Sequence, residues 1–224
     1  MGDKRDPRYP DLMYANFGGF FASRGFIFIV ANYRLSKGPG NDHGDAKYPS
    51  GGEDCALAIQ WIAKNLGSEK RELFVMGNSA GAVHVMTFLF EPQILRSVGH
   101  DVDIRGVILL SPPCHQRRAP ENRKLVNAAY YGNEEDIENN SPIRLLRNGI
   151  SKVPMLGLVG EYDEQGILGS WEDYKVEYEK MGGKIDEIWM KGHNHISPIL
   201  GLNCDQEEGS QWGEDAVNWM KSKM

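Results

Sequence analysis

Before the middle of the chain, the pentapeptide Gly77-Asn78-Ser79-Ala80-Gly81 has the pattern G-x-S-x-G. An apolar run precedes it and an apolar helical stretch follows it, so it falls where a strand turns directly into a helix. Such a turn lifts a serine hydroxyl clear of the sheet and places it at a helix N-terminus, where the next backbone N–H can stabilise negative charge. The pattern therefore predicts Ser79 as a nucleophile and the Ala80 N–H as an oxyanion donor.

A serine hydroxyl also needs a general base, and that base needs a carboxylate to orient it. In strand-turn-helix sites the chain order is serine, acid, histidine. One later apolar run is followed by Asp163, with Glu161 and Glu164 as alternatives, and the next run by His195, with His193 as the alternative. The carboxyl ends of neighbouring parallel strands meet at one edge of a sheet. We therefore expect Asp163 and His195 to complete the site, with the alternatives left open.

The elements that must position these residues are short apolar strands alternating with helices, which is the pattern of an α/β protein. The predicted strands are 25–32, 73–76, 102–111, 153–159 and 185–190, and the predicted helices are 55–66, 80–90, 171–181 and 214–224. Capping-box spacing from Ser50 to Glu53 marks the start of the first helix. We predict a three-layer α/β/α fold with a mostly parallel sheet, in a single domain over 1–224 with a small polar insertion at about 114–151.

The composition of the chain argues against several classes of function. The chain has 224 residues and a formal net charge of −6, which gives no electrostatic reason to expect nucleic acid as a partner. It contains no apolar run long enough for a membrane span. It also contains no nucleotide-binding glycine motif, so we expect no cofactor. Three cysteines and a polar start without a signal-peptide core predict a cytoplasmic protein.

The remaining histidines and the cysteines are assigned no chemistry. No histidine spacing is typical of a metal site, so we predict none. The side chains interpreted as loop or packing residues are His43, His84, His100, His115, Cys55, Cys114 and Cys204.

Nearly the whole chain resembles one group of enzymes. The matching pieces are Asn32-Tyr33-Arg34-Leu35, Tyr48-Pro49 leading to Glu53-Asp54 and Trp61, 77–82, Ser141-Pro142, 160–163 and 192–195. They are similar to the hormone-sensitive-lipase-like esterases of the α/β-hydrolase fold, a group close to arylformamidases and feruloyl-esterase-like enzymes. The resemblance implies hydrolysis of a short-chain ester or amide-like bond through an acyl-enzyme. It also implies that Ser79, Asp163 and His195 are catalytic, while Arg34 and Asp54 serve the scaffold.

One part of the family pattern has no counterpart here. The family carries a His-Gly-Gly loop, whose N–H groups complete the oxyanion hole, just before a segment similar to Gly2-Asp3-Lys4-Arg5. Phe17-Gly18-Gly19-Phe20 is predicted to lie in a helix, and His43-Gly44 follows the first strand, so neither replaces it. We therefore expect an N-terminally shortened fold with an exposed sheet edge, in which only the Ala80 N–H is assured as an oxyanion donor.

Three functions follow from these residues. The first is a serine hydrolase acting on a short-chain carboxylic ester or related acyl bond in a small molecule. The second is an arylformamidase-like amide hydrolase, and the third is a catalytically impaired hydrolase fold that serves as a binding module. The residues do not determine the oligomeric state.

Overall fold

The computed structural model describes residues 14–38, 41–66, 71–99, 102–117, 119–204 and 207–224. The strands are β1 (Ser36–Gly38), β2 (Asn41–Asp45), β3 (Arg71–Asn78), β4 (Val102–Leu110), β5 (Met155–Tyr162) and β6 (Asp186–Asn194). The helices are α1 (Ala15–Ala22), α2 (Ser50–Asn65), α3 (Ala80–Phe90), α4 (Pro92–Ser97), α5 (Glu121–Tyr131), α6 (Glu134–Asn139), α7 (Pro142–Leu145), α8 (Gln165–Lys180), α9 (Ser197–Gly201) and α10 (Glu207–Lys223), with a 3₁₀ turn at Leu146–Asn148.

Strands β3, β4, β5 and β6 form a parallel sheet in that spatial order. Strands β1 and β2 form a separate antiparallel pair. All four sheet strands overlap segments that the sequence predicts as strands, so the α/β class and the parallel sheet are confirmed. Because parallel strands end at the same edge, the turns after β3, β5 and β6 come together there.

The side chains of the sheet alternate between two apolar layers, as expected for a sheet that is buried on both faces. In β4, Val107 and Leu109 pack in a cluster with α3 and α8. Ile108 and Leu110 pack in a second cluster with α1 and α10. Helices therefore cover both faces, which confirms the three-layer α/β/α arrangement.

The predicted strand at 25–32 is wrong. The segment from 26 to 35 has no strand pairing with any other described segment, although Phe28 stacks on Phe21 with ring centroids 5.1 Å apart. Cavities of about 640 and 270 Å³ lie between this segment and β3. A strand needs a neighbouring backbone about 4.8 Å away, and across these cavities there is none. In the described sheet, β3 is consequently an edge strand.

The start of α2 also differs from the prediction. The helix begins at Ser50, with Pro49 as its N-cap, and no side chain caps it. Ser50 therefore lies inside the helix, and the predicted capping box is wrong. Asp54 on this helix accepts hydrogen bonds from the Arg34 backbone N–H at 2.7 Å and from Arg34 Nε at 2.9 Å. These bonds join the segment before β1 to α2, consistent with the scaffold role that the resemblance implies.

Candidate active site

The turn between β3 and α3 holds Ser79 in a strained conformation, with φ 51° and ψ −116°. The Ser79 N–H donates to the carbonyl of Leu110 at 2.8 Å, which fixes the turn to the end of β4. A Cβ atom on Gly77 would lie 2.3 Å from the carbonyl oxygen of Gly81, so position 77 requires glycine. A Cβ atom on Gly81 would meet nothing within 4 Å. Among the described residues, only the first glycine of the motif therefore has a steric role.

Asp163 lies just beyond β5 and its side chain is fully buried. Its Oδ2 accepts hydrogen bonds from Ser111 Oγ at 2.7 Å and from the Gly160 N–H at 2.8 Å. A buried charge is costly unless it is hydrogen-bonded, and these two donors supply that compensation. A Cβ atom on Gly160 would approach the carbonyl oxygen of His193 to 2.8 Å, so the close approach of β5 and β6 requires glycine here.

His195 lies just beyond β6 and connects the other two predicted residues. Its Nδ1 is 2.9 Å from Asp163 Oδ1, and its Nε2 is 2.9 Å from Ser79 Oγ. The side chain of His195 is 12% exposed, so the imidazole is partly shielded from water. With Nδ1–H donating to the carboxylate, Nε2 is free to accept the serine proton. The arrangement can carry out general-base activation of a hydroxyl.

The alternative residues make other contacts. Glu161 accepts a hydrogen bond from the Gly192 N–H at 2.8 Å. Glu164 is the N-cap residue of α8 and is exposed. His193 Nδ1 is 3.1 Å from Ser197 Oγ, and its Nε2 is 3.4 Å from the carbonyl oxygen of Glu208. The described geometry therefore brings Ser79, Asp163 and His195 together and leaves these three outside the series of hydrogen bonds.

The Ala80 N–H, which the sequence predicts as an oxyanion donor, lies at the start of α3. Ala80 is the first residue of α3, so its N–H has no acceptor within the helix. Phe17-Gly18-Gly19-Phe20 lies in α1, as the sequence predicts, whereas His43-Gly44 lies in β2 and not in the loop expected for it.

A cavity of about 300 Å³ opens beside the nucleophile. Its wall includes Ser79, Ala80 and the apolar side chains of Val83, Val126 and Ile167. This volume is at the small end of the range of ligand pockets. It suits a short substrate group.

Tyr130 adds a fixed polar group to the same wall. Burial raises the pKa of Tyr130 to about 12, and its hydroxyl accepts a hydrogen bond from the Gly51 N–H at 3.0 Å. The phenol therefore stays protonated at neutral pH and remains anchored to α2.

His115 is a wall residue of this cavity and lies in a loop, as the sequence predicts. Its Nε2 is 3.0 Å from Asp173 Oδ2, and its side chain is 1% exposed. The two residues are 58 positions apart, so no local spacing could have revealed the pair. The apolar run that ends at Pro112-Pro113 was the one available signal, because it predicts that the next residues lie at the carboxyl edge of the sheet.

The other residues singled out by type have structural surroundings. Cys55, Cys114 and Cys204 are free thiols, and burial raises the pKa of Cys114, which makes it a poor nucleophile. His100 lies outside the described residues. Within the described ranges, no group of three or more metal-ligating side chains comes together, and no helix has the length and apolar character to cross a membrane.

The chain is similar to known proteins in sequence and in fold. Residues 20–144, more than half of the 224 residues, match the profile of the alpha/beta hydrolase fold. Among solved structures, the chain is similar to one from a study of two fungal esterases from Rhizomucor miehei, with 20% identity and a TM-score of 0.66 over 86% of this chain and 62% of that chain.

Two further structures give similar values. A hormone-sensitive lipase from a metagenome library has 18% identity and a TM-score of 0.61, over 86% of this chain and 65% of that one. An arylesterase has 20% identity and a TM-score of 0.64, over 86% of this chain and 63% of that one. This chain therefore spans less than two thirds of the length of these structures, and the likeness establishes a shared fold.

Proposed function

We propose, on the premise that the chain belongs to the alpha/beta hydrolase fold family, that it is a serine hydrolase that cleaves a short-chain carboxylic ester through an acyl-enzyme. The observation that carries the proposal is the pair of 2.9 Å contacts that link Ser79 Oγ to His195 Nε2 and His195 Nδ1 to Asp163 Oδ1. A serine hydroxyl with a base and an orienting carboxylate at these distances is equipped for nucleophilic attack.

In the first half of the proposed reaction, Ser79 Oγ attacks the ester carbonyl carbon while its proton passes to His195 Nε2. The carbonyl oxygen becomes an oxyanion, and the Ala80 N–H donates a hydrogen bond to it. The carbon–oxygen bond to the alcohol then breaks, and His195 returns the proton to the departing alkoxide. Asp163 stabilises the imidazolium that forms between these two proton transfers.

In the second half, water replaces the alcohol. His195 Nε2 accepts a proton from water as the water oxygen attacks the acyl carbon, and it then returns that proton to Ser79 Oγ as the carboxylic acid leaves. The balance is one ester and one water consumed, and one acid and one alcohol produced. The chain's own side chains supply every proton transfer in this scheme.

The strained backbone at Ser79 supports the same proposal. A φ of 51° at a non-glycine residue costs of order 1–3 kcal/mol and persists only where surrounding contacts impose it. Here those contacts are the hydrogen bond from the Ser79 N–H to Leu110 and the close packing of Gly77 on α3. The strained turn directs Oγ toward His195. A catalytic role for Ser79 gives a reason why a non-glycine residue occupies this unfavourable conformation.

The test combines active-site labelling with turnover. We expect a fluorophosphonate to add one adduct at Ser79, located by peptide mass spectrometry, and p-nitrophenyl acetate to be hydrolysed. Ser79→Ala lowers kcat by roughly 10⁴- to 10⁶-fold and abolishes labelling. Ser97→Ala, on the exposed surface of α4, is the matched control and retains both.

Two outcomes would contradict the proposal. Unchanged turnover in Ser79→Ala would exclude Ser79 as the nucleophile. A complete lack of labelling and turnover in the folded protein would favour a binding module. Parallel assays with N-formylkynurenine separate an esterase from an arylformamidase by comparing kcat/KM for the two bonds.

A further inference from the structure

The turn that carries His195 is closed by two of its own side chains. Asn194 Oδ1 accepts hydrogen bonds from the N–H groups of Ile196 and Ser197, each at 2.9 Å. In return, Ser197 Oγ accepts a hydrogen bond from the Asn194 N–H at 2.9 Å. Two side chains that are three residues apart and bind each other's backbone N–H have the reciprocal pattern of a capping box. His195 lies inside the loop that these bonds close.

The pair formed by Asn194 and Ser197 fixes the backbone on both sides of His195. Asn194 is the last residue of β6 and Ser197 is the first residue of α9, so the bonds join the end of the strand to the start of the helix. Only His195 and Ile196 lie between them, and the Ile196 N–H is itself bound. A backbone keeps its conformational freedom unless contacts restrict it. Here the φ and ψ angles of His195 are restricted from both ends.

A buried histidine holds the same pair from the side of α10. His193 is 7% exposed, and its Nδ1 is 3.1 Å from Ser197 Oγ, while its Nε2 is 3.4 Å from the carbonyl oxygen of Glu208 on α10. A serine hydroxyl can donate to a ring nitrogen or accept from it, so the contact with Ser197 forms wherever the proton of His193 lies. Ser197 is therefore tied to the body of the protein as well as to the turn.

The role proposed for His195 requires this restriction. Its ring spans two 2.9 Å contacts, to Ser79 Oγ and to Asp163 Oδ1, which follow two different strands. A misplacement of about 1 Å can cost an enzyme about 10²-fold in rate. In the described structure, Asn194 and Ser197 form hydrogen bonds within the turn and with His193, and none with Ser79 or Asp163. Any effect of the pair on catalysis therefore acts through the position of His195.

We propose that Asn194 and Ser197 are positioning residues that hold the His195 ring between Ser79 and Asp163. The inference rests on the function proposed above. Asn194 is exposed, so water can replace its hydrogen bonds when its side chain is removed, and the loss of stability is small. The geometry of the turn, in contrast, depends on these bonds. Substitution is therefore expected to affect catalysis more than folding.

The first experiment measures kcat and KM for p-nitrophenyl acetate in paired variants. Asn194→Ala and Ser197→Ala remove the two acceptors, and we expect each to lower kcat by about 10- to 100-fold with KM nearly unchanged. Asn194→Asp keeps the Oδ1 acceptor and Ser197→Thr keeps the hydroxyl, so both retain most of the native kcat. Asn65→Ala, at the exposed end of α2, is the matched control and retains full activity.

The kinetics overturn the inference if either alanine variant keeps the native kcat, or if the conservative variants lose as much as the alanine variants. Urea titration shows whether each variant is folded. Where an alanine variant does not fold, Asn194→Gln takes its place, because it keeps the amide but moves its oxygen by one methylene group. The same fall in kcat is expected for it.

A spectroscopic measurement reports the position of His195 without turnover. In the ¹⁵N-histidine-labelled protein, the proton on His195 Nδ1 lies in the 2.9 Å contact with Asp163, and its resonance is assigned by its loss in His195→Gln. We expect Asn194→Ala to shift or broaden this resonance and Asn194→Asp to restore it. A role confined to stability would leave it unmoved.

This measurement also separates the inference from the proposed function. A resonance that responds to Asn194→Ala, without ester turnover in the unsubstituted protein, would leave the positioning pair standing and refute the hydrolase. Turnover together with an unmoved resonance in Asn194→Ala would refute the positioning pair alone.

Discussion

Replacing Asp163 by asparagine exchanges one oxygen of the site for an amide nitrogen at nearly constant volume. In the native site Oδ2 accepts from the Gly160 N–H at 2.8 Å and Oδ1 faces His195 Nδ1 at 2.9 Å. The backbone N–H of Gly160 is a fixed donor, whereas the Ser111 hydroxyl on the same oxygen can rotate to accept. The substituted amide therefore turns its oxygen toward Gly160 and its NH₂ toward His195.

That orientation reverses the tautomer of His195. Nδ1 must then accept from the amide, so the ring proton moves to Nε2, where it points at Ser79 Oγ across the 2.9 Å contact. A protonated Nε2 cannot remove the serine proton. The equivalent change in serine proteases lowers kcat by about 10⁴-fold, or about 5.4 kcal/mol of activation free energy. We expect a loss of roughly 10³- to 10⁴-fold for Asp163→Asn.

The assay is steady-state hydrolysis of p-nitrophenyl acetate, with kcat and KM determined separately. Because the tautomer affects proton transfer rather than binding, kcat falls while KM changes little. Glu161→Gln is the matched control, since Glu161 lies at the end of β5, two residues before Asp163, and bonds only to the Gly192 N–H in the described structure. Its loss of kcat is expected to stay below about 10-fold, the size of one hydrogen bond.

Thermal unfolding of both variants ensures that the comparison is between folded proteins. If folded Asp163→Asn keeps more than a tenth of the native kcat, the tautomer reasoning is refuted. If Glu161→Gln loses more activity than Asp163→Asn, the orienting carboxylate has been assigned to the wrong residue.

Three further predictions concern the elements that support the site. Gly160→Ala drives a Cβ atom to 2.8 Å from a neighbouring backbone carbonyl, so urea titration is expected to show a loss of about 1–3 kcal/mol and kinetics a lower kcat. Phe28→Ala removes a stacked ring and costs about 2–3 kcal/mol in the same titration, whereas Ile27→Ala, at a residue 70% exposed, costs less than about 0.5 kcal/mol. The hydrogen bond from Trp219 lowers the pKa of Asp186, so its stabilisation is full above the ordinary carboxyl pKa and is lost as pH falls through the lowered one. Asp186→Asn therefore destabilises by less than about 1 kcal/mol at pH 7, and the difference from the native protein disappears on acidification.

The sequence predicts the sheet strands well because each one is marked by its own apolar run. β4 is an example: the prediction of 102–111 corresponds to the observed Val102–Leu110. The segment at 25–32 shows the limit of this reasoning. Its residues favour a strand, but a strand also needs a neighbouring backbone, and cavities separate this segment from β3. Side-chain propensity carries no information about that neighbour.

The candidate site likewise contains residues that the sequence predicts and a contact that it does not. Ser79, Asp163 and His195 can be predicted because each directly follows a strand, and parallel strands bring such turns to one edge. His115 also follows a strand, but its significance depends on Asp173, which reaches it from a helix 58 residues later. Contacts of that kind depend on helix placement, which local patterns do not fix.

Helix α8 connects the turn that carries Asp163 with the wall of the cavity beside Ser79. It begins two residues after Asp163, and its second and third turns carry Ser170 and Asp173, which hold the His115 segment. Trp171 on the same helix is 2% exposed, and its ring lies where a Cβ atom on Gly157 of β5 would be. Close-packed contacts of this kind transmit displacement rather than absorb it. The position of α8 on β5 therefore affects both Asp163, which contacts His195, and the His115 segment, which Ser170 and Asp173 hold.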